Sequence, residues 1–363
     1  MAQALFEQMR GKEALRPGWH LARLTAYALA LMVHAVTALV LVGGLWLLYF
    51  GWPSWVEVGL GVLLVLVAAV LRPRLGWLGS GVPVTRRDDA PRLFALIDDV
   101  AEAVGGRAPD LVVIDGEYNA RFGIIGLRRR RVLWIGLPMW RILTRQEQVG
   151  LLGHELAHGV NGDSRYGLVV GTALQNLRAW KQFTFPRAAA SDDISRRLLA
   201  CYMRMPIMGV IRTLERLNLR AAQRAEYLAD EWAARTGSSE AEVSSLKKLM
   251  LGEGVVFAMS VAARRGDRAL GDVAAQFVAA VPTDERQRLE RIARLRGHQA
   301  AERYPPTPMR VDLILSRQSR PATVLQDAET SEAISDELAE RFREVEADLR
   351  KKLLAADPTA PAD

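Results

Sequence analysis

One cysteine, Cys201, is all that 363 residues provide, which excludes an internal disulfide framework and any metal site built from several thiolates. Cys201 itself reads as a small apolar filler. Histidine is also scarce, with five in the chain, so two of them close together carry weight. Between Leu24 and Val56 there is no charged residue. The overall excess of positive charge is small: 48 Lys and Arg against 41 Asp and Glu give +7. Most of it lies in residues 1–87, where eight basic side chains face three acids. A nucleic-acid binder concentrates its positive charge on the folded body. Here the charge flanks an apolar segment, so a lipid bilayer is the expected partner and nucleic acid is not.

Ala28 to Phe50 reads ALALMVHAVTALVLVGGLWLLYF. At ~1.5 Å per residue this is long enough to cross a hydrocarbon core of about 30 Å. Gly51-Trp52-Pro53 interrupts it, and Val56 to Leu71 is apolar again except for Glu57. The pattern predicts a transmembrane hairpin over 24–75 after an N-terminal segment, 1–23. Arg10, Lys12, Arg16 and Arg23 precede the hairpin, Arg72, Arg74, Arg86 and Arg87 follow it, and the connecting turn has no Lys or Arg. The positive-inside rule then puts both ends in the cytoplasm, together with the domain that follows. The expected location is therefore multi-pass, in the cell inner membrane. Trp52 and Trp55 at the turn, with Trp19 and Trp77 at the opposite face, suit interfacial belts. His34, mid-span, is read as satisfied by a neighbouring helix, with a functional intramembrane role as the alternative.

The rest of the chain predicts an α+β fold, mainly helical, with a small β-sheet. Residues 76–91 form a Gly/Pro-rich linker and 92–320 the main domain. Residues 321–354 lead into and form an amphipathic C-terminal helix, and 355–363 a disordered tail. Arg92 to Val104 has helical periodicity. Asp110 to Asp115, Arg121 to Leu127 and Val132 to Leu137 read as strands, the last two around a solvated turn of four arginines, Arg128 to Arg131; anionic lipid is the second reading of that turn. Thr144 and Glu147 have capping-box spacing and open a helix that stops at Asn161-Gly162. Tyr166 to Leu177 and Leu198 to Ile211, the latter interrupted by Pro206, are short for spans and read as buried or membrane-dipping helices. Lys181 to Arg197 reads as a loop between them. Thr213 to Arg235 forms a further helix, Gly252 to Gly297 is helical, and Ser331 to Leu354 places Ile334, Leu338, Phe342, Val345, Leu349 and Leu353 on one stripe.

His154-Glu155-Leu156-Ala157-His158 is HExxH. On a helix, positions i and i+4 share a face, so both imidazoles reach one zinc ion at ~2.0–2.1 Å. Glu155 lies about 100° round from His154, beside the position a water would take, and can act as general base. A catalytic zinc site needs a third protein ligand. The metzincin extension is excluded, because Asn161 and Ser164 stand where Gly and His are required. Further on, Glu226 and Asp230 share a helical face. Glu226 can complete a His2Glu set, and Asp230 can accept the free N–H of a ligating imidazole. Alone, Arg224, Glu226 and Asp230 would read as a solvated salt-bridged face. Asp163 either bonds a ligating histidine or caps the segment after the helix. A donor from Tyr304, His298 or Arg310 would stabilise an oxyanion; the default reading of His298 is a surface histidine.

Asn119-Ala120, the HExxH helix with Asn161 and Asp163 after it, and Glu226-xxx-Asp230 together resemble the HtpX-like zinc metallopeptidases, a family that includes the CAAX prenyl proteases. The resemblance extends over roughly residues 20–315. It implies a gluzincin domain facing the cytoplasm, one Zn2+ per chain on His154, His158 and Glu226, and Glu155 as base. It also implies that Asn119 and Ala120 lie on an edge strand that binds substrate backbone; without it, Asn119 reads as a turn residue. Unfolded or damaged membrane proteins are the implied substrates. A maturation protease for one partner and a proteolytically silent scaffold or chaperone are the competing readings. Tyr304 stands where the family's His-Pro-Pro-Thr has its histidine, and the hydropathy supplies fewer spans than the CAAX proteases have.

Overall fold

The computed structural model describes residues 2–11, 21–72, 76–79, 81–126, 128–184, 194–266, 268–296 and 304–355. Helix dominates, with one three-stranded sheet. The chain divides into two compact units. One comprises Met1–Pro17, Trp77–Ser164 and Ala222–Asp363; the other comprises Gly18–Gly76 and Arg165–Ala221. A reading by sequence order suggests one continuous domain over 92–320. The structure instead puts Arg165–Ala221 with the apolar hairpin.

In the first unit the sheet has the order β1-β3-β2, from β1 (Leu111–Asp115), β2 (Ala120–Ile125) and β3 (Arg130–Gly136). β1 runs parallel to β3, and β2 pairs with β3 antiparallel, leaving β2 at an edge. The turn between β2 and β3 is displaced from the four arginines: Arg130 and Arg131 lie in β3. Left-handed conformations at Gly126 (φ 65°) and Arg129 (φ 51°) turn the chain early. Asp110 then extends the β1–β3 side, its carboxylate accepting the Arg131 N–H at 2.7 Å.

Apolar residues of the sheet, Ile114, Leu133 and Ile135, form one core with Leu93, Phe94 and Ile97 of α4 (Pro91–Ala103) and Leu152 and Leu156 of α6 (Arg145–Val160). The same core takes in α5 (Leu137–Ile142), α10 (Gly252–Arg265), α11 (Leu270–Ala280) and α14 (Ala328–Ala355). Each fully buried Leu, Ile or Phe contributes about 1.5–3 kcal/mol. Around it lie α9 (Ser239–Leu249), α12 (Thr283–Arg296) and α13 (Thr307–Leu315). The apolar stripe of α14 is used for packing: Ile334, Leu338, Val345 and Leu349 are buried. Its polar residues cap two other helices. No side chain of its own caps α4, whose first N–H groups, at Arg92 and Leu93, donate to the Glu337 carboxylate at 2.8 and 3.1 Å. Arg350 donates to the carbonyls of Ala262 and Ala263 at the end of α10. α1 (Ala2–Arg10) buries Phe6 and Met9 against Tyr227, Leu228 and Leu313.

In the second unit, α2 (Leu21–Phe50) and α3 (Trp55–Val70) form an antiparallel pair. The pair crosses at Gly44 and Gly61: a Cβ on either would come within about 3 Å of the other's carbonyl oxygen. Among the described residues α2 is the one helix long and apolar enough to cross a membrane; α3 is apolar but shorter. Leu31, Leu39, Leu45, Leu60, Leu63 and Leu66 are exposed along the two. α7 (Asp163–Thr184) packs on α2 through Tyr27–Tyr166 and Ala30, Val33, Val170 and Ala173. His34 Nε2 sits 3.0 Å from the Val169 carbonyl and 3.2 Å from Thr172 Oγ1, so a neighbouring helix supplies its partners. α8 (Ile194–Thr236) continues through Pro206, where the sequence suggests an interruption. One missing hydrogen bond is tolerated because Ile207, Met208 and Val210 pack beside it. The loop expected over Lys181–Arg197 shrinks at both ends into α7 and α8, and its middle, 185–193, lies outside the described residues, as does 356–363 of the expected tail.

Replacing Glu337 with Ala leaves the first N–H groups of α4 without their acceptor. The expected cost is about 1–2 kcal/mol, visible as a lower midpoint in thermal unfolding of the detergent-solubilised chain, whereas Ser335→Ala on the same helix stays within about 0.5 kcal/mol of the parent.

Candidate metal centre

α6 is pinned at both ends. Thr144 Oγ1 accepts from the Glu147 N–H, and the Glu147 carboxylate accepts from the Thr144 N–H at 2.7 Å and from Lys248 Nζ at 2.5 Å. At the other end Asn161 is the C-cap and Gly162 takes the left-handed conformation, φ 72°. The helix crosses the end of α8 at almost backbone contact. A Cβ on Gly153 would fall 2.0 Å from Thr236 Oγ1, and one on Gly237 would fall 2.6 Å from the Gly150 nitrogen.

That crossing brings Glu226 of α8 to the two histidines of α6. His154 Nε2 lies 3.4 Å from Glu226 Oε2, and His158 Nε2 lies 3.7 Å from Glu226 Oε1. The two imidazole rings are 5.0 Å apart between centroids and inclined at 82°. Ligand atoms on a tetrahedral ion with bonds of ~2.0–2.1 Å are about 3.4 Å apart, so the three side chains fit one divalent cation. His154 presents its other nitrogen, Nδ1, to Asp230 Oδ1 at 3.1 Å. Arg310, from α13, holds Asp230 with two bonds, Nε–Oδ2 being 2.8 Å, and stands 3.6 Å from Glu226 Oε2. Glu155 is buried on the same turn of α6.

Residues 88–316 match peptidase family M48. The chain belongs to this family. Its matched region has the mainly helical α+β fold described above. Among curated proteins it is 29% identical over 172 residues to a protease HtpX homologue of Thermococcus kodakarensis, covering 44% of this chain and 57% of that one. A Syntrophobacter fumaroxidans protease HtpX homologue is 25% identical over 171 residues, covering 45% and 60%. A third, from Gemmatimonas aurantiaca, is 24% identical over 199 residues, covering 53% and 71%. The chain thus spans little more than half of the first relatives it matches. No solved structure matches it.

Within the M48 fold the centre is a buried charge cluster. Burial alone would raise the Glu226 and Asp230 carboxyls; His154, His158 and Arg310 beside Glu226, and Arg310 and His154 beside Asp230, overcome it and hold both down at about 2. Burial also opposes charge on His154, and the bonds to Asp230 and Glu226 more than compensate, raising it well above an ordinary imidazole. Glu242 of α9 is different. Burial first, then the Asp230 charge, push it up to about 8.

The structure brings His154, His158, Glu226, Asp230 and Arg310 together. Two of Arg310's donors are taken by Asp230, which makes it the counter-charge of the carboxylates. Tyr304 is half exposed ahead of α13. His298 and the side chain of Asp163 lie outside the described residues. Asn119 sits just before β2, its carbonyl accepting from the Gly136 N–H at 2.9 Å, and Ala120 is the first residue of that edge strand. β2 lies beside the HExxH helix: Phe122 fills the space a side chain at Gly159 would need. Sequence reasoning misses Glu242, Thr236 and Phe122. The Gly150/Gly153 spacing inside a helix was the available signal for Thr236; Glu242 lies in an ordinary acidic helix start and carries none.

Two outcomes test this description. Gly153→Ala forces α6 away from α8, so it should lower bound metal per chain and cost about 1–3 kcal/mol; Gly153→Ala combined with Thr236→Ala should recover part of both, as read by metal analysis and thermal unfolding. The second concerns pH. With Glu242 near 8 in the folded metal-free protein and near its ordinary value when unfolded, the folded state binds more protons between those values, and stability falls as pH rises through the interval. Glu242→Gln removes that loss. Its gain in unfolding midpoint should be larger at pH 8 than at pH 5, and a gain independent of pH would contradict the assignment.

Proposed function

We propose that this chain is a membrane-anchored zinc endopeptidase, active on the cytoplasmic side, that cleaves unfolded or damaged membrane proteins. The observation that carries it is the fit of His154, His158 and Glu226, from two helices, around a space for one ion. Two imidazoles and a carboxylate suit zinc. When bound, the metal would polarise a peptide carbonyl and ease deprotonation of a water.

The chain's own residues account for the rest. Asp230 accepts the Nδ1–H of His154, which fixes the tautomer and leaves Nε2 facing the ion. Arg310 offsets the two carboxylates, so that neither has to take up a proton to stay buried. Glu155, one residue from His154, accepts the proton of the attacking water and delivers it to the departing amine nitrogen. The edge of β2 beside α6, unpaired among the described residues, suits an extended peptide, held by backbone hydrogen bonds. Such binding reads little of the side chains, which favours broad specificity.

Anchoring is supported by the length and exposed apolar surface of α2 with α3. The same-side reading draws on α1. Phe6 and Met9 pack in the unit that also holds residues after Trp77. The chain between them must then cross a bilayer an even number of times, as a hairpin does. The cytoplasmic side follows from the arginines and lysine flanking α2 and α3.

Detergent-solubilised chain should cleave casein. Glu155→Gln should retain metal and lose activity by about 100-fold or more, and Glu226→Ala should lose the metal itself. Equal cleavage by the parent and Glu155→Gln, or full metal in Glu226→Ala, would defeat the proposal.

A further inference from the structure

A second cluster of cations lies away from the metal centre, at the end of the sheet where β1 and β3 begin. An open cavity of about 450 Å³ there is lined by Arg87, Arg107 and Arg131 with Phe94, Pro109 and Asp110. Two of the guanidiniums have carboxylate partners. Arg87 is held by both oxygens of Asp98 and lies over the Phe94 ring, 5.0 Å from its centroid. Arg131 is held by Asp110 at 2.9 Å. Arg107 is exposed and, among the described residues, has no carboxylate partner. Three cations therefore meet two carboxylates, and the cavity keeps a net positive charge. Arg128 and Arg129 of the adjoining turn, and Arg130 at the start of β3, are exposed and add to it; Asp88 and Asp89 are the acids nearest Arg86 and Arg87 in sequence.

We infer that this arginine cavity binds the phosphate of an anionic phospholipid headgroup. Guanidiniums paired with aspartates are partly oriented before a ligand arrives, and the guanidinium fork matches phosphate oxygens. The lipid source is favoured by the chain itself. Arg86 and Arg87 follow the apolar helix α3 by fewer than twenty residues, and between them Trp77 is 84% exposed and Val82 is exposed. An exposed indole in the same short stretch of chain as two arginines is the composition of a segment lying at a membrane interface. This inference rests on the membrane-anchored reading and assigns to the run of arginines from Arg128 to Arg131 a role the peptidase chemistry does not use.

The test uses the full chain in a non-ionic detergent. Binding is measured for dihexanoyl-phosphatidylglycerol, dihexanoyl-phosphatidylcholine and inorganic phosphate, each at two salt concentrations. The anionic lipid should bind about tenfold or more tighter than either other probe, and more weakly in high salt. Arg107→Ala and Arg128→Ala should each weaken it about fivefold, with casein cleavage unchanged. Equal binding of the two lipids, phosphate binding as tightly as phosphatidylglycerol, or indifference to both substitutions would overturn the inference. Partition of the same preparation between aqueous and detergent phases separates the two readings. A chain that enters the detergent phase but ignores phosphatidylglycerol defeats only the headgroup site, whereas a chain that stays in the aqueous phase defeats the anchoring.

Discussion

The near-contact of α6 with the end of α8 is the constraint on which the centre depends. Glu226 reaches the two histidines because the helices approach so closely that no Cβ fits at Gly153 or Gly237. Glycine inside a helix costs about 0.5–1 kcal/mol relative to alanine. Here that cost is offset by the capping box at Thr144 and by burial of Leu152 and Leu156 beside the glycine face. The helix that carries HExxH is thus held by its caps and its apolar face, while its glycine face is left for the crossing.

A second requirement is electrical. Glu226, Asp230 and Glu242 are all buried, and charged groups rarely remain so without partners. Arg310 is the fixed counter-charge, reaching from α13 across eighty positions of sequence. With one guanidinium shared between two carboxylates, the third is the group pushed toward its neutral form. The pattern keeps Glu226 anionic in the metal-free protein and His154 hydrogen-bonded at both nitrogens.

What could be read from the sequence was local. The capped helix from Thr144 to Asn161, the i, i+4 faces of His154/His158 and Glu226/Asp230, and the apolar stripe of α14 follow from helical period alone. The apolar stretch of α2 is equally plain from composition. What depended on distant partners could not be read. The sequence alone does not separate Arg310 as an oxyanion donor from Arg310 as the partner of Asp230, because the two lie eighty positions apart. The β2–β3 turn moved because two residues adopt left-handed backbone, one of them an arginine that carries no such signal. Pro206 looked like a break because flanking packing, and not propensity, keeps α8 helical. The grouping of 165–221 with the hairpin had no local mark, since α7 follows α6 after only two residues.

That grouping raises a question of magnitude. His158 and Glu226 are separated in the chain by an excursion over 165–221 that folds with the other unit. A long detour between two ligands costs the centre little, because loop closure depends only logarithmically on length, about 0.6 kcal/mol for each doubling. Overpacking at the crossing costs about 1–3 kcal/mol for a single methyl group. The centre is therefore far more sensitive to one atom at Gly153 than to tens of residues between its ligands. The fold can route its chain through the apolar unit and back while the local geometry of α6 and the last turns of α8 remain closely specified.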